Sequence, residues 1–260
     1  MPGTMPGAAR SFSVCIPVCG TYFQAPGPRF VLEQLTVAMP AKTLPIRLFQ
    51  GGLAALGLLA IAFFTWIMGN IVWPYTSGEL DIDFLQTKQH IIHLLHYRLA
   101  FYIHIFPALL VLAAGLTQFS GTILRRTPGL HRWVGRAYVW SILFFCGPAG
   151  LLMAWYANGG PLAQSSFLVL SGLWWWMTWK AYRAIRAGDI RAHGAWMIRS
   201  YALTLSAITL RLMQFGLANY AILDPETSYR LVAWPSWVLN WLVAEWLLRR
   251  KDWFAWVYGR

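Results

Sequence analysis

Acidic residues are scarce in this chain and cysteines scarcer, with 9 Asp and Glu and 3 Cys among 260 residues. Three cysteines give no disulfide framework of the kind that staples small secreted domains, and the C-x3-C of Cys15 and Cys19 is uninformative. Charge of either sign is low at 12% of residues, where soluble domains carry about 25%. That shortage excludes a soluble enzyme and a disordered chain. The charge that remains is basic, with 21 Lys and Arg and a formal net charge of +12. Nucleic-acid binders are basic too, but they are rich in charge, and this chain is poor in it. There is no H-E-x-x-H, no G-x-S-x-G and no phosphate-binding loop, so no hydrolase or transferase reading has a motif to stand on.

What the chain has in quantity is apolar: 58% of residues are hydrophobic and 16% aromatic. A bilayer core of about 30 Å takes roughly 20 apolar residues in helix. Six stretches qualify, near 49–73, 99–119, 133–156, 166–182, 196–220 and 231–248. They are continuous rather than alternating, which argues against strands. The expected fold is an all-α polytopic bundle of about six transmembrane helices.

Basic residues set the orientation. Those before the first helix, around 125–136, around 180–199 and in the tail make up 17 of the 21, and all fall on one side of the threading. The other side holds Lys88, Arg98 and Arg230, together with Glu79, Asp81, Asp83, Asp224 and Glu226. The bias predicts both termini in the cytoplasm of a bacterial inner membrane. Residues 1–48 are Pro- and Gly-bearing and lack the order of a signal peptide; they are expected to be disordered or partly the product of a mis-assigned start. Residues 49–250 form the membrane domain, and the basic-aromatic tail 251–260 is expected along the inner headgroups.

Two inner loops echo each other. One reads Arg126-Thr-Pro-Gly-Leu-His131-Arg-Trp133-Val-Gly-Arg136, the other Arg186-Ala-Gly-Asp-Ile-Arg-Ala-His193-Gly-Ala-Trp196-Met-Ile-Arg199. Each runs from base through turn to His, Trp and Arg before a new helix. A duplicated hairpin and the common need for interfacial Arg and Trp explain this equally well.

Ionisable groups within a bilayer are costly and therefore functional candidates. Counting at about 1.5 Å per residue places His104 ~8 Å and Arg211 ~13 Å below the outer surface. Glu245 lies about 5 Å from the inner surface, on a level with Gln118, His131, Arg136, His193 and Arg199. An Arg211–Glu245 pair is too far apart in depth, so the expected partner of Glu245 is Arg136 or Arg199. For His104, one turn from Pro107, the structural alternative is a hydrogen bond to the carbonyl that the proline frees. His90, His93 and His96 fall just outside. They would suit an amphipathic interfacial segment better than a metal site with Asp81 and Asp83.

Two classes of function use such a pattern. Histidines on neighbouring helices can hold haem b, with arginines neutralising its propionates; His131 with His193 is the first candidate pair and His104 a second iron candidate. Alternatively the arginine layer binds a quinone headgroup, an anionic lipid or a small solute, as in a non-redox transporter, lipid-binding or assembly protein.

The segment Pro128-Gly-Leu-His131-Arg-Trp133-Val-Gly135-Arg136-Ala-Tyr138 resembles the LHRWxGRxY signature of a bacterial membrane family, the domain of unknown function 2306 (DUF2306). Further likeness lies in His104, in Gly115-Leu-Thr-Gln118-Phe119, and in His193-Gly-Ala-Trp196-Met-Ile-Arg199-Ser200-Tyr201-Ala-Leu-Thr204. Arg211, Asn240 and Glu245 complete it, over about residues 100–250. Leu116 and Gly194 stand where the family usually has Pro and Arg. The resemblance implies a multi-span helical membrane protein and marks Gln118, the histidines, the arginines and Glu245 for test; it implies no activity.

Overall fold

The computed structural model describes residues 44–220 and 223–250. Chain contacts divide it after Arg47, and the architecture below is that of residues 48–250. The expectations for the N-terminal segment before residue 44 and for the tail 251–260 lie outside the described residues.

Every regular element among the described residues is helical. A long α1 (Leu44–Val72) ends in a 3-10 turn (Trp73–Ser77). The short α2 (Asp83–Gln86) and a run of turns lead into α3 (Leu95–Gln118). A short α4 (Gly121–Arg126) precedes α5 (Pro128–Trp140), which continues through a π-turn (Ser141–Cys146) into α6 (Gly147–Trp155). The rest comprises α7 (Gly160–Arg186), α8 (Ile190–Thr204), α9 (Ser206–Tyr220), α10 (Pro225–Ala233) and α11 (Pro235–Leu248).

Five helical runs among the described residues are long and apolar enough to cross a membrane: Gly51–Ser77, Leu95–Gln118, Pro128–Trp155, Ile190–Tyr220 and Glu226–Leu248. The stretch 166–182, expected as a span in its own right, lies within the 27-residue α7. That helix has the length, about 40 Å at 1.5 Å per residue, but it is not one of the five. Its run carries Gln164, Ser165, Ser166 and Ser171 and closes on Lys180, Arg183 and Arg186.

The starts of α5 and α8 differ from the sequence expectation, and the difference matters for the site. Helix was expected from residue 133 and residue 196; it begins at Pro128 and Ile190. Proline fits a first helical position because its missing N–H has no partner there anyway. At α8, Gly188 takes φ 79°, which an L side chain rarely adopts, and the Asp189 carboxylate caps the Ala192 N–H at 2.8 Å. His131 and His193 therefore sit in helical turns, each the fourth residue of its helix, and not in loop ends. The helix α3 begins at Leu95, so His93 lies in the turns before it and shares no helix with His104.

The π-turn leaves one backbone carbonyl without a helical donor at Gly147-Pro148. In the i+5 register, Pro148 occupies the place whose N–H would meet the Leu143 carbonyl, and proline has none to give. The Trp175 indole of α7 donates to that carbonyl instead, at 3.0 Å. Gly147 permits the approach: a Cβ there would stand 2.9 Å from Trp175 Cδ1.

The core lies where α3, α5 with its π-turn, α7, α8 and α11 meet, around Tyr138, Ile142, Cys146, Met177, Tyr201 and Leu203. It contains a buried chain of hydroxyls. Tyr138 Oη contacts Ser200 Oγ at 2.8 Å and Thr204 Oγ1 at 3.1 Å. Thr178 Oγ1 contacts Ser200 Oγ at 2.7 Å, and the Trp174 indole donates to Thr204 Oγ1 at 3.1 Å. These bonds satisfy polar groups that would otherwise be costly away from water. By contrast, the apolar stretch of α1 is not buried by the protein. Leu56, Leu59, Phe63 and Trp66 face outward, as lipid contact requires.

Candidate functional site

Two cavities hold most of the polar residues singled out in the sequence. The first, of about 560 Å³, lies where the starts of α5 and α8 meet the end of α3 and the last turns of α7. His131 and His193 both line it, with Gln118, Arg132, Arg136 and Arg186. No Asp or Glu contributes. Its size falls within the ~300–1,000 Å³ typical of small-molecule sites.

The two imidazoles are held differently. His193 Nδ1 lies 2.9 Å from the Ala181 carbonyl oxygen. A carbonyl only accepts, so Nδ1 carries the hydrogen, and in the neutral ring Nε2 keeps its lone pair. Metal-ligating histidines commonly have this anchorage. His131 is fixed through its backbone, whose carbonyl accepts from Gln118 Nε2 at 3.2 Å. Its Nδ1 is buried without a hydrogen-bond partner, a condition that costs stability unless something fills it. Gln118 packs its Oε1 closely on Gly135, where a Cβ would come within 3.0 Å.

The second cavity, of about 260 Å³, lies farther up the bundle. His104 and Gln118 stand 14 residues apart on α3, about 21 Å along the axis. Its lining includes His104, Arg211, Lys88 and Tyr229 among mostly apolar walls. His104 was set against the carbonyl freed by Pro107 on its own helix, but it reaches across to the π-turn: Nδ1 lies 3.0 Å from the Cys146 carbonyl oxygen. The ring fits because residue 150 is glycine, whose missing Cβ would stand 3.2 Å from His104 Cε1. Lys88 is 2% exposed, although it lies outside the five candidate spans. Its ammonium donates to the Tyr156 carbonyl and to Asn158 Oδ1, each at 2.5 Å. Burial away from water pulls its pKa down to about 8.

Arg199 and Glu245 line neither cavity. They meet each other: Arg199 Nε donates to Oε1 at 2.5 Å and Nη2 to Oε2 at 3.0 Å. The Trp241 indole adds a third bond to Oε1 at 3.1 Å. The pair ties α8 to α11, and the Arg199 guanidinium also stacks 4.8 Å from the Trp196 ring centroid. His96 Nε2 contacts Tyr156 Oη at 3.0 Å, while His90 and His93 are exposed. Among the described residues, no group of three or more His, Cys, Asp or Glu is placed to hold a metal ion.

Arg132, Arg186 and Lys88 are not candidates in the sequence. The two arginines read there as topology-setting flanks, and only the packing shows that they also wall a cavity. Lys88 carried a usable signal, as one of three basic residues on the side where acidic residues gather, but nothing in its neighbours announces burial.

A family model described as "Predicted membrane protein (DUF2306)" matches residues 101–248, and the chain belongs to that family. It is a membrane protein, and its helices are surrounded by lipid. No curated protein and no solved structure matches it.

Proposed function

We propose that this DUF2306 protein of the bacterial inner membrane holds haem b in the cavity between His131 and His193 and passes electrons through it. We further infer that α7 is the sixth span and that both termini are cytoplasmic. The one-sided placement of 17 of the 21 Lys and Arg supports that orientation, in which this cavity would lie at the cytoplasmic face.

One observation carries the haem reading. Two histidines from different helices line a single cavity, one with its Nδ1 hydrogen committed to a backbone carbonyl and the other with a buried Nδ1 unpartnered. Arg132, Arg136 and Arg186 stand around them, with no carboxylate to neutralise them. Arginines suit propionate oxygens because the guanidinium offers paired donors. When bound, haem would supply one-electron chemistry. The chain's own contribution is to orient His193 through Ala181 and His131 through Gln118, and to wall the site with Tyr138, Val139 and Met197.

The absorption spectrum of the detergent-purified protein, oxidised and then reduced, tests the reading. A Soret band with sharp reduced α and β bands is the expected result, with at least tenfold loss of bound haem in His131→Ala and in His193→Ala. Protein expressed with ample haem that shows no Soret band refutes the reading, as does full haem content in both variants.

A further inference from the structure

We propose that the His104–Arg211 cavity is a separate binding site for an amphiphilic anion, a carboxylate or phosphate headgroup on a long apolar tail. Two cationic side chains, Lys88 and Arg211, line this cavity together with the His104 imidazole, and no Asp or Glu does. Arg211 sits within the run Ile190–Tyr220, one of the candidate spans, and has no ion pair or hydrogen bond among the described residues. An arginine at membrane depth is retained at a cost, and such residues almost always face a bundle interior or cavity and pair with something. The Lys88 ammonium adds positive potential at the same cavity without a counter-ion. Its two partners are neutral oxygens.

The walls supply the second half of the ligand. Ile105, Leu109, Leu112, Leu170 and Leu210 are apolar, so a small hydrophilic anion would leave most of the cavity unsatisfied. A hydrocarbon tail buries against such surface favourably, at about 0.8 kcal/mol per CH2 group. His104 then completes the headgroup end. With its Nδ1 hydrogen held by the Cys146 carbonyl, Nε2 is the nitrogen left to meet a ligand, accepting from an acidic O–H or donating once protonated. This site shares no residue with the His131–His193 cavity, so it does not depend on haem.

Native mass spectrometry of the full chain in a nonionic detergent tests it with three probes of one tail length: oleate, oleyl phosphate and oleyl alcohol. The expected result is one-to-one binding of oleate or oleyl phosphate, at least tenfold tighter than the alcohol. The ratio of the two anions identifies the headgroup. Arg211→Gln should weaken anion binding at least tenfold and leave the alcohol unchanged, and Arg211→Lys should retain most of it. Should Arg211→Gln fail to fold, Ala108→Phe fills the cavity without touching a charge and should abolish anion binding. Equal affinity for alcohol and anions, or unchanged anion binding in a folded Arg211→Gln or Ala108→Phe variant, overturns the proposal.

Discussion

Arg199 and Glu245 form a two-point ion pair between α8 and α11, closed by a third hydrogen bond from Trp241. The side chains are 21% and 26% exposed, so the pair is neither fully wet nor dry. Removing one partner of a buried, hydrogen-bonded charge pair costs about 2–5 kcal/mol; partial exposure points to the lower end, about 2 kcal/mol. Glu245→Gln should therefore lower the thermal midpoint, and the reversed pair Arg199→Glu with Glu245→Arg should recover part of the loss. Because neither residue lines a cavity, haem content and oleate binding should be the same in Glu245→Gln as in the parent. A ligand defect without a stability defect would move the pair from brace to site.

Gly115 and Tyr201 are in very close contact. A Cβ on residue 115 would lie 1.9 Å from Tyr201 Oη. That hydroxyl donates to the Leu112 carbonyl at 2.8 Å, and the ring packs on Phe119 with centroids 4.9 Å apart. Gly115→Ala must displace the ring and forfeit the bond. Overpacking of a core costs about 1–3 kcal/mol, and the lost bond about 1 more. Expression and melting temperature should fall sharply. Gly115→Ala on a Tyr201→Leu background should cost much less than on the parent, because the obstructing ring is gone.

The grouping of residues in the two candidate sites was legible because membrane depth can be counted. Twenty-odd apolar residues between basic flanks locate a span, and a fixed rise then assigns His104 and Arg211 to one level and Gln118, His131, Arg136 and His193 to another. The cavities group them the same way. Glu245 was narrowed to Arg136 or Arg199 by the same count, and packing selects Arg199. What counting cannot supply is rotation and neighbour distance. The closeness of Tyr201 to Gly115, the burial of Lys88 and the reach of His104 to Cys146 all depend on which helix faces meet. In the two histidine-bearing motifs, Tyr138, Ser200, Tyr201 and Thr204 are packing and hydrogen-bonding residues of the core, a role that a motif alone does not disclose.

Lys88 predicts a rise in stability with alkaline pH. Its ammonium is buried against Tyr156 and Asn158, with His104, Arg211 and Tyr97 lining the same cavity and no carboxylate among them. The folded pKa is pulled from 10.5 down to about 8. Below that value both folded and unfolded chains hold the proton and the burial penalty is complete. Between about 8 and 10.5 only the unfolded chain holds it, so unfolding takes up a proton and stability rises with pH. Melting curves across this window should show a rise in the parent that is missing from Lys88→Met. An identical rise in both would place the titrating group elsewhere.

The Trp175 indole and Pro148 should be energetically coupled, although they lie on different helices. Pro148 withholds a backbone N–H from the π-turn, and Trp175 Nε1 meets the Leu143 carbonyl in its place. Trp175→Phe leaves that carbonyl unpaired at a cost of about 1–3 kcal/mol, in addition to lost packing. On a Pro148→Ala background a helical N–H is restored at the position where Leu143 can accept it, so the orphaned carbonyl has an alternative donor. The double-mutant cycle should then give a coupling of at least about 0.5 kcal/mol, with Trp175→Phe milder in the alanine background. Strict additivity would mean that the carbonyl finds its partner elsewhere, and that the indole is held there by packing against Gly147 alone.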